Sequence, residues 1–314
     1  MSRATVRLFL PAPALRHAIT TYQIMTVAGT DDIEDMFLPE WASIRLVLSG
    51  RWRAKILGQP FQPVAEAAIS GTQERGSVVR GTPGLVAGVG ILPEGWVQLT
   101  GQPADSFAKR LRPLATVFGA AADHLVPTLR TLADDEEIVE ALDRYLVDRL
   151  AGRPAAPSIV REAHAALLDD ANRSVDDWAT SLKLSARQLE RLCRRYFGLP
   201  PKRLLRRQRF LRTLAAIRDV PPGSWSMLID SHYVDQPHFI RECHYFLGMS
   251  PRVFFARPQP FMRQTGDRRK ALLGSPVQIL HAPAASRARQ RVADLEAAED
   301  DKDAGRRGPR YMPS

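Results

Sequence analysis

One stretch of this 314-residue chain, residues 192–212, contains seven arginines and one lysine but no acidic residue. Its leucines and aromatic residues still recur at helical spacing, which predicts helices with strongly basic faces. The positive charge of the chain is concentrated around this stretch: residues 172–257 carry 16 basic and 7 acidic side chains, whereas residues 1–171 carry 17 and 20. A block of positive charge the size of a domain is typical of a nucleic-acid-binding module.

The segment 174–198 has the pattern of two short helices joined by a tight turn. Ser174 and Ser185 are suited to cap the N-termini of the two helices, and Gly198 provides the left-handed residue that often ends a helix. Such a pair predicts a helix-turn-helix unit. The apolar stripe of its second helix consists of Leu189, Leu192, Cys193 and Tyr196.

The opposite face of this second helix is strongly basic. It carries Arg187, Arg191 and Arg194, with Glu190 at its edge. A solvated helix face usually mixes both signs of charge to limit repulsion, so this face indicates contacts with phosphates and guanine edges. We predict that residues 186–198 form a recognition helix.

A second unit of the same kind is predicted over residues 224–254. Asp235 can cap a helix whose first turn tolerates Pro237, and Gly248 ends it. Its inward stripe is formed by Phe239, Cys243, Phe246 and Leu247. Its outward face carries Gln236, His238, Arg241 and His244.

A long helix is predicted between the two units, from about residue 201 to 218. Eighteen residues span about 27 Å, which can hold two recognition helices near the ~34 Å repeat of the major groove. The helix carries Arg206, Arg207, Arg209 and Arg212. These arginines are expected to contact either phosphates or the other domain.

The N-terminal part of the chain has a different pattern, which predicts a mixed domain. The segment 42–52 alternates apolar and polar residues and then reaches Ser49 and Gly50, which predicts a strand and a hairpin-like turn. The glycine-rich segment 81–96 predicts a buried strand, and residues 134–150 predict an amphipathic helix. We therefore expect an α+β domain, a small β sheet or barrel plus helices, over residues 1–150, a linker over 151–158, an all-α domain over 159–257 and a mostly disordered basic tail over 258–314.

The two helix-turn-helix units, and above all the segment "DQPHFIR…F.G.SP", resemble the AraC/XylS family of bacterial transcriptional regulators. The resemblance covers about residues 165–257, and the segments "PEWASIRLVLSGRWR" and "VAGVGILPEGW" are similar to the N-terminal domain of one branch of the family. It implies that two helices enter successive major grooves of double-stranded DNA. By the family pattern the base-reading positions are Arg187, Glu190, Arg191, Gln236, His238 and Arg241.

The second unit departs from the family pattern at two positions. His232 stands where glycine normally precedes the aromatic residue of the turn, and Leu228 replaces a small residue of the preceding helix. A residue other than glycine in a left-handed turn costs roughly 1 kcal/mol or more, and a bulkier leucine changes the distance between helices. We expect the first unit to contribute more to specificity than the second.

Two functions remain open for the N-terminal domain. It either holds a small-molecule effector, with Trp41, Trp52 and Trp96 as wall residues, or it only forms a homodimer and the tryptophans belong to its core. A homodimer would double the site and raise the affinity through tethering. RNA polymerase is a further candidate partner, and the runner-up function is a non-sequence-specific architectural binder of nucleic acid.

Other classes of site are not predicted. His232, His238, Cys243 and His244 are close in sequence, but Cys243 and His244 follow His238 by five and six residues rather than four, so no metal site is expected. No cofactor-binding motif or set of catalytic residues is evident, so we expect no enzyme. The chain lacks a signal peptide pattern and any apolar run of roughly 18–20 residues, and its two cysteines suit a reducing cytoplasm.

Overall fold

The computed structural model describes residues 3–169, 171–172, 174–229, 233 and 235–280. All of them belong to one compact unit. The N-terminal part contains ten strands: β1 Arg3–Phe9, β2 Ile19–Ala28, β3 Ile33–Phe37, β4 Ser43–Val47, β5 Trp52–Ile56, β6 Gln62–Pro63, β7 Ala67–Ser70, β8 Ser77–Gly81, β9 Gly84–Ile91 and β10 Leu111–Pro113. Four α-helices accompany them: α1 Pro93–Thr100, α2 Ala115–Phe118, α3 Leu125–Arg130 and α4 Asp135–Leu150.

The strands form two antiparallel sheets. The larger has the order β1-β2-β9-β4-β7-β10 and the smaller has the order β3-β8-β5-β6. The glycine-rich strand β9 lies between β2 and β4, as expected for a strand buried on both faces. Side chains alternate across β2, so that Ile24 packs with helices α1–α4 whereas Met25 packs with the smaller sheet and the helical part of the chain.

The hairpin predicted at Ser49 and Gly50 is wrong. Strand β4 pairs within the larger sheet and β5 within the smaller one, so the turn carries the chain from one sheet to the other. Gly50 has a φ of +82°, and a Cβ atom there would lie 2.6 Å from the carbonyl oxygen of Pro83. The sequence shows the turn residues correctly, but it does not show which strands they connect.

The C-terminal part is helical. Its helices are α5 Ser158–Leu168, α6 Val175–Ser181, α7 Ala186–Leu192, α8 Pro201–Ile217, α9 Gln236–Leu247, α10 Pro251–Ala256 and α11 Met262–Leu273. A π-helical turn, Cys193–Phe197, continues α7, and a 3₁₀ helix, Pro222–Met227, precedes α9. The predicted fold class, an α+β domain followed by an all-α domain with two helix-turn-helix units, is confirmed.

Helix α11 lies in the stretch for which the sequence predicts a mostly disordered tail. It packs against β1 and β3, and the backbone N–H groups of Phe261 and Met262 donate to Asp35 Oδ2 at 2.7 and 2.8 Å. Burial raises the pKa of Asp35 although these hydrogen bonds oppose the rise. The buried positions of α11 include Thr265, Gly266 and Arg269, so the helix has no apolar stripe by which to recognise it. The prediction for residues 282–314 lies outside the described residues.

Candidate nucleic-acid interface

Local hydrogen bonds fix both ends of the first recognition helix, α7. The side chain of Ser185 accepts from the backbone N–H of Gln188 at 3.3 Å, and the side chain of Gln188 accepts from the N–H of Ser185 at 2.8 Å, which forms a capping box. The helix ends at Gly198 with a φ of +79°. Because the π-helical turn shifts the register, Phe197 is fully buried and Tyr196 only half-buried.

The exposed face of α7 presents two arginines without a carboxylate partner. Glu190 Oε1 accepts from Arg194 Nε at 2.8 Å one turn along the helix, so this pair is internally neutralised. Arg187 and Arg191 are exposed, and neither forms an ion pair within the part of the chain that the structure describes. The four predicted residues of α7 and of the π-helical turn that continues it therefore lie together, and two of them, Arg187 and Arg191, have no ion-pair partner among the described residues.

The second recognition helix, α9, is capped by Asp235, whose Oδ1 accepts from the N–H of His238 at 2.7 Å. Gln236 and Arg241 are exposed, and Arg241 Nη2 lies 3.9 Å from the capping carboxylate. The ring of His238 is half-buried and packs edge-on against Tyr233 at 5.1 Å. The predicted residues of α9 therefore differ in access, because His238 also takes part in packing.

The departures from the family pattern lie just before α9. A 3₁₀ helix stands there in place of an α-helix, and Leu228 follows it with 39% of its surface exposed. The leucine is therefore partly exposed at the surface. His232 lies outside the described residues.

The basic helix α8 mostly contacts protein. Arg206 Nη2 lies 2.6 Å from Glu242 Oε1 of α9, and Arg203 Nη1 lies 2.7 Å from Glu74 Oε2 of the N-terminal part. Arg207 is completely buried over the ring of Trp41 at 4.3 Å. Of the two expectations for these arginines, contact with the other domain holds for Arg207.

Arg207 has no carboxylate partner in hydrogen-bonding range among the described residues. Its Nη1 donates to the carbonyl oxygens of Gln73 at 2.6 Å and Glu40 at 3.4 Å. Burial lowers the pKa of Arg207 to about 9, and the more distant Glu74 only partly offsets this effect. A guanidinium stacked on an indole and bonded to two carbonyl oxygens is a means of clamping α8 to the N-terminal domain.

Glu40 lies between two further arginines, the buried Arg269 and the partly buried Arg45. Its Oε2 accepts from Arg45 Nη2 at 3.2 Å and its Oε1 accepts from Arg269 Nη1 at 3.1 Å. Burial, together with the charge of Arg269, lowers the pKa of Arg45. The sequence shows no sign of this contact. Glu40 lies in a loop, Arg45 in strand β4 and Arg269 in helix α11, and single charged residues so far apart in the chain do not indicate that they meet.

The three tryptophans proposed as ligand-binding residues do not share one site. A cavity of about 100 Å³ lies between the two sheets, and both Trp41 and Trp52 are in its wall. Its polar lining consists of Glu40, Ser43, Arg45, Lys55, Gln62, Ser70, Gln73 and Ser77. Trp96 lies elsewhere, in the core formed with α1–α4, where its Nε1 donates to the carbonyl oxygen of Gln102 at 2.9 Å.

Within the described ranges, no group of three or more His, Cys, Asp or Glu side chains is arranged to hold a metal ion. In the same ranges, no helix combines the length and the apolar character needed to cross a bilayer.

Comparison with known proteins gives one family match and several structural neighbours. Residues 178–257 match a family model described as a helix-turn-helix domain. ToxT from Vibrio cholerae is similar over 81% of this chain and 97% of its own length, with 8% sequence identity and a TM-score of 0.43. The structure of ToxT with a bound unsaturated fatty acid is similar over 73% of this chain and 96% of its own length, with 8% sequence identity and a TM-score of 0.38. The AraC-like transcriptional activator CuxR is similar over 66% of this chain and 85% of its own length, with 15% sequence identity and a TM-score of 0.27. No curated protein sequence matches the chain significantly.

Proposed function

We infer that this chain is a transcription regulator that recognises specific sequences of double-stranded DNA. The inference starts from the AraC-type helix-turn-helix domain formed by residues 178–257. The family match makes it a DNA-binding regulator, and its discrimination between sequences is our proposal. Lysines and arginines would neutralise phosphates and release counterions, while α7 and α9 would read base edges in successive major grooves.

The observation that carries this proposal is the pair of free arginines on α7. Arg187 and Arg191 lie on the exposed face of α7. Residues of the same unit cap the N-terminus of this helix, terminate it and pack against its opposite face. A guanidinium held in this way can form two hydrogen bonds with guanine O6 and N7. On α9, Gln236 and Arg241 offer the matching chemistry for adenine and guanine.

Replacing Arg191 by alanine is expected to weaken binding to the selected operator by about 1–3 kcal/mol, which is roughly 5- to 150-fold, and to leave non-specific binding nearly unchanged. Fluorescence anisotropy with operator and scrambled duplexes at matched salt measures both affinities. Arg144→Ala on α4 is the control, because it removes another exposed arginine far from the two units in sequence. An equal loss on both duplexes would make Arg191 a phosphate contact.

The alternative is an architectural binder that does not discriminate between sequences. Selection of bound duplexes from a random pool in moderate salt separates the two functions. We expect enrichment of a motif with two half-sites about 10 base pairs apart. A pool that stays random while binding falls steeply with salt would support the architectural function.

We further propose that the cavity between the sheets holds a small-molecule effector. Its volume of about 100 Å³ is below the roughly 150 Å³ that accommodates benzene in an engineered cavity. The effector is therefore either smaller than benzene or binds with movement of the side chains that line the cavity.

A ligand at 100 times its Kd is expected to raise the Tm of the full chain by about 5 °C. The measurement is a thermal-shift screen against metabolites, with Ala54→Leu as the control because Ala54 lines the cavity. Shifts that persist in this variant would place the ligand elsewhere.

A homodimer, contact with RNA polymerase and a cytoplasmic location complete the proposal. Sedimentation of the free protein and of its operator complex distinguishes one bound copy from two. If no compound shifts the Tm, a role of the N-terminal domain in dimerisation alone becomes the simpler account.

A further inference from the structure

The outer face of the smaller sheet carries an unusual row of charges. In the strand register, Arg80 of β8 stands directly opposite Glu34 of β3 on one side and directly opposite Arg53 of β5 on the other. Like charges directly across neighbouring strands are destabilising. The repulsion between Arg80 and Arg53 is offset by the ion pair of Arg80 with Glu34 and by a shared aromatic ring.

Three cations of the smaller sheet gather over one aromatic ring. The guanidinium carbon of Arg80 lies 4.6 Å from the centre of the Phe61 ring, Lys55 Nζ lies at 4.7 Å and the guanidinium carbon of Arg53 lies at 5.9 Å. Each cation is attracted to the face of the ring, which therefore holds three positive charges in a small area. We call Arg53, Lys55, Phe61 and Arg80 the sheet patch.

Only one carboxylate neutralises the sheet patch within the described part of the chain. Glu34 forms ion pairs with Arg80 and, at 2.8 Å, with Arg257 Nη2. The hydrogen bond from Arg80, followed by the contact with Arg257, lowers the pKa of Glu34. Arg53 and Lys55 form no ion pair with any described residue, so four cations share a single negative charge.

The position of Arg257 links the sheet patch to the DNA-binding unit. Arg257 is the last residue of the matched helix-turn-helix domain and follows α10 directly. The Glu34–Arg257 ion pair therefore places the patch next to the end of the second unit. A cluster of positive charge beside the end of a helix-turn-helix domain is suited to a polyanion.

We propose that the sheet patch binds phosphates of the DNA that flanks the sequence read by α7 and α9. The inference rests on the proposed function for the position of the duplex, but it requires no contact with bases. Its consequence is a binding footprint longer than the two major grooves, in which the N-terminal domain contributes affinity without specificity.

The test removes the two unpaired cations and varies the length of the duplex. The double variant Arg53→Gln/Lys55→Gln breaks no ion pair among the described residues, but it removes two cation–π contacts with Phe61, so circular dichroism first establishes that it is folded like the wild type. Because Lys55 also lines the cavity between the sheets, no effector is added in these measurements. Loss of two phosphate contacts is expected to reduce the slope of log K against log salt by about 1.8. Between 50 and 200 mM salt, the wild type would then lose about tenfold more affinity than the variant.

This difference is expected on an operator duplex of about 40 base pairs and should disappear on one trimmed to about 20, which covers only two major grooves. Arg112→Gln/Arg144→Gln removes two exposed arginines of the N-terminal part and is the matched control. No change of slope on the long duplex would overturn the proposal, as would the same change on both lengths.

The outcome separates this proposal from the proposed function. A wild-type protein that selects an operator, together with an unaffected double variant, would retain specific recognition and reject the flanking contact. A wild-type protein that selects no sequence, together with a length-dependent loss of slope in the variant, would reject specificity and retain the contact.

Discussion

Replacing Glu40 by glutamine is expected to lower the free energy of unfolding by about 3–5 kcal/mol, because it leaves the buried Arg269 and the partly buried Arg45 without their carboxylate. Glu40 lies between Arg45 of β4 and Arg269 of α11, and all three side chains are largely withdrawn from water. An amide cannot neutralise either guanidinium, and both would remain as uncompensated charges withdrawn from most of their water.

Urea unfolding followed by tryptophan fluorescence measures this loss. The matched control is Glu66→Gln, which removes a carboxylate that pairs at the surface with Arg130 at 2.7 Å. An exposed ion pair of this kind contributes less than about 1 kcal/mol. Equal effects of the two substitutions would mean that water reaches Glu40 and that the buried pairs add little.

Replacing Trp41 by alanine is expected to cost about 3–5 kcal/mol of unfolding free energy, since it removes a large buried side chain and leaves a void beside Phe197 and His164. The side chain is 1% exposed, and its ring packs edge-on against Phe197 at 5.7 Å and against His164 at 5.5 Å. It also supports the guanidinium of Arg207. Trp41→Phe keeps an aromatic surface and should lose much less stability.

The same two variants test whether Trp41 matters for DNA binding. Phe197 belongs to the turn that ends the first recognition helix, so a void beside it is expected to loosen that helix and weaken operator binding. Affinity is measured at a temperature where circular dichroism shows each variant to be folded. Trp52→Phe is the control, because Trp52 also lines the cavity but packs against Phe261. A Trp41→Ala variant that folds and binds normally would contradict this role.

Features that depend on neighbouring residues were predictable from the sequence. The caps at Ser174, Ser185 and Asp235 are present, since each requires only a side-chain oxygen and a backbone N–H three residues later. Helices α4 and α8 also lie where the periodicity predicts them.

Features that depend on distant residues were not predictable. Arg191 and Arg207 have the same side chain on similar basic helices, yet one is exposed and the other is fully buried. The difference arises from carbonyl groups 134 and 167 residues away in the chain. In the same way, the sequence indicated that tryptophans could line a ligand site, but only the fold separates Trp41 and Trp52 from Trp96.

The contacts that complete the N-terminal domain have a consequence for biosynthesis. Trp41 donates its backbone N–H to Gln278, 237 residues later, and Glu40 meets Arg269 after 229 residues. At roughly 5–20 residues per second, a ribosome needs on the order of 10–50 s to supply these partners. During that interval Glu40 lacks its partner Arg269, and the apolar face of the nascent sheets is exposed to water. This is the period in which a chaperone would protect the growing chain.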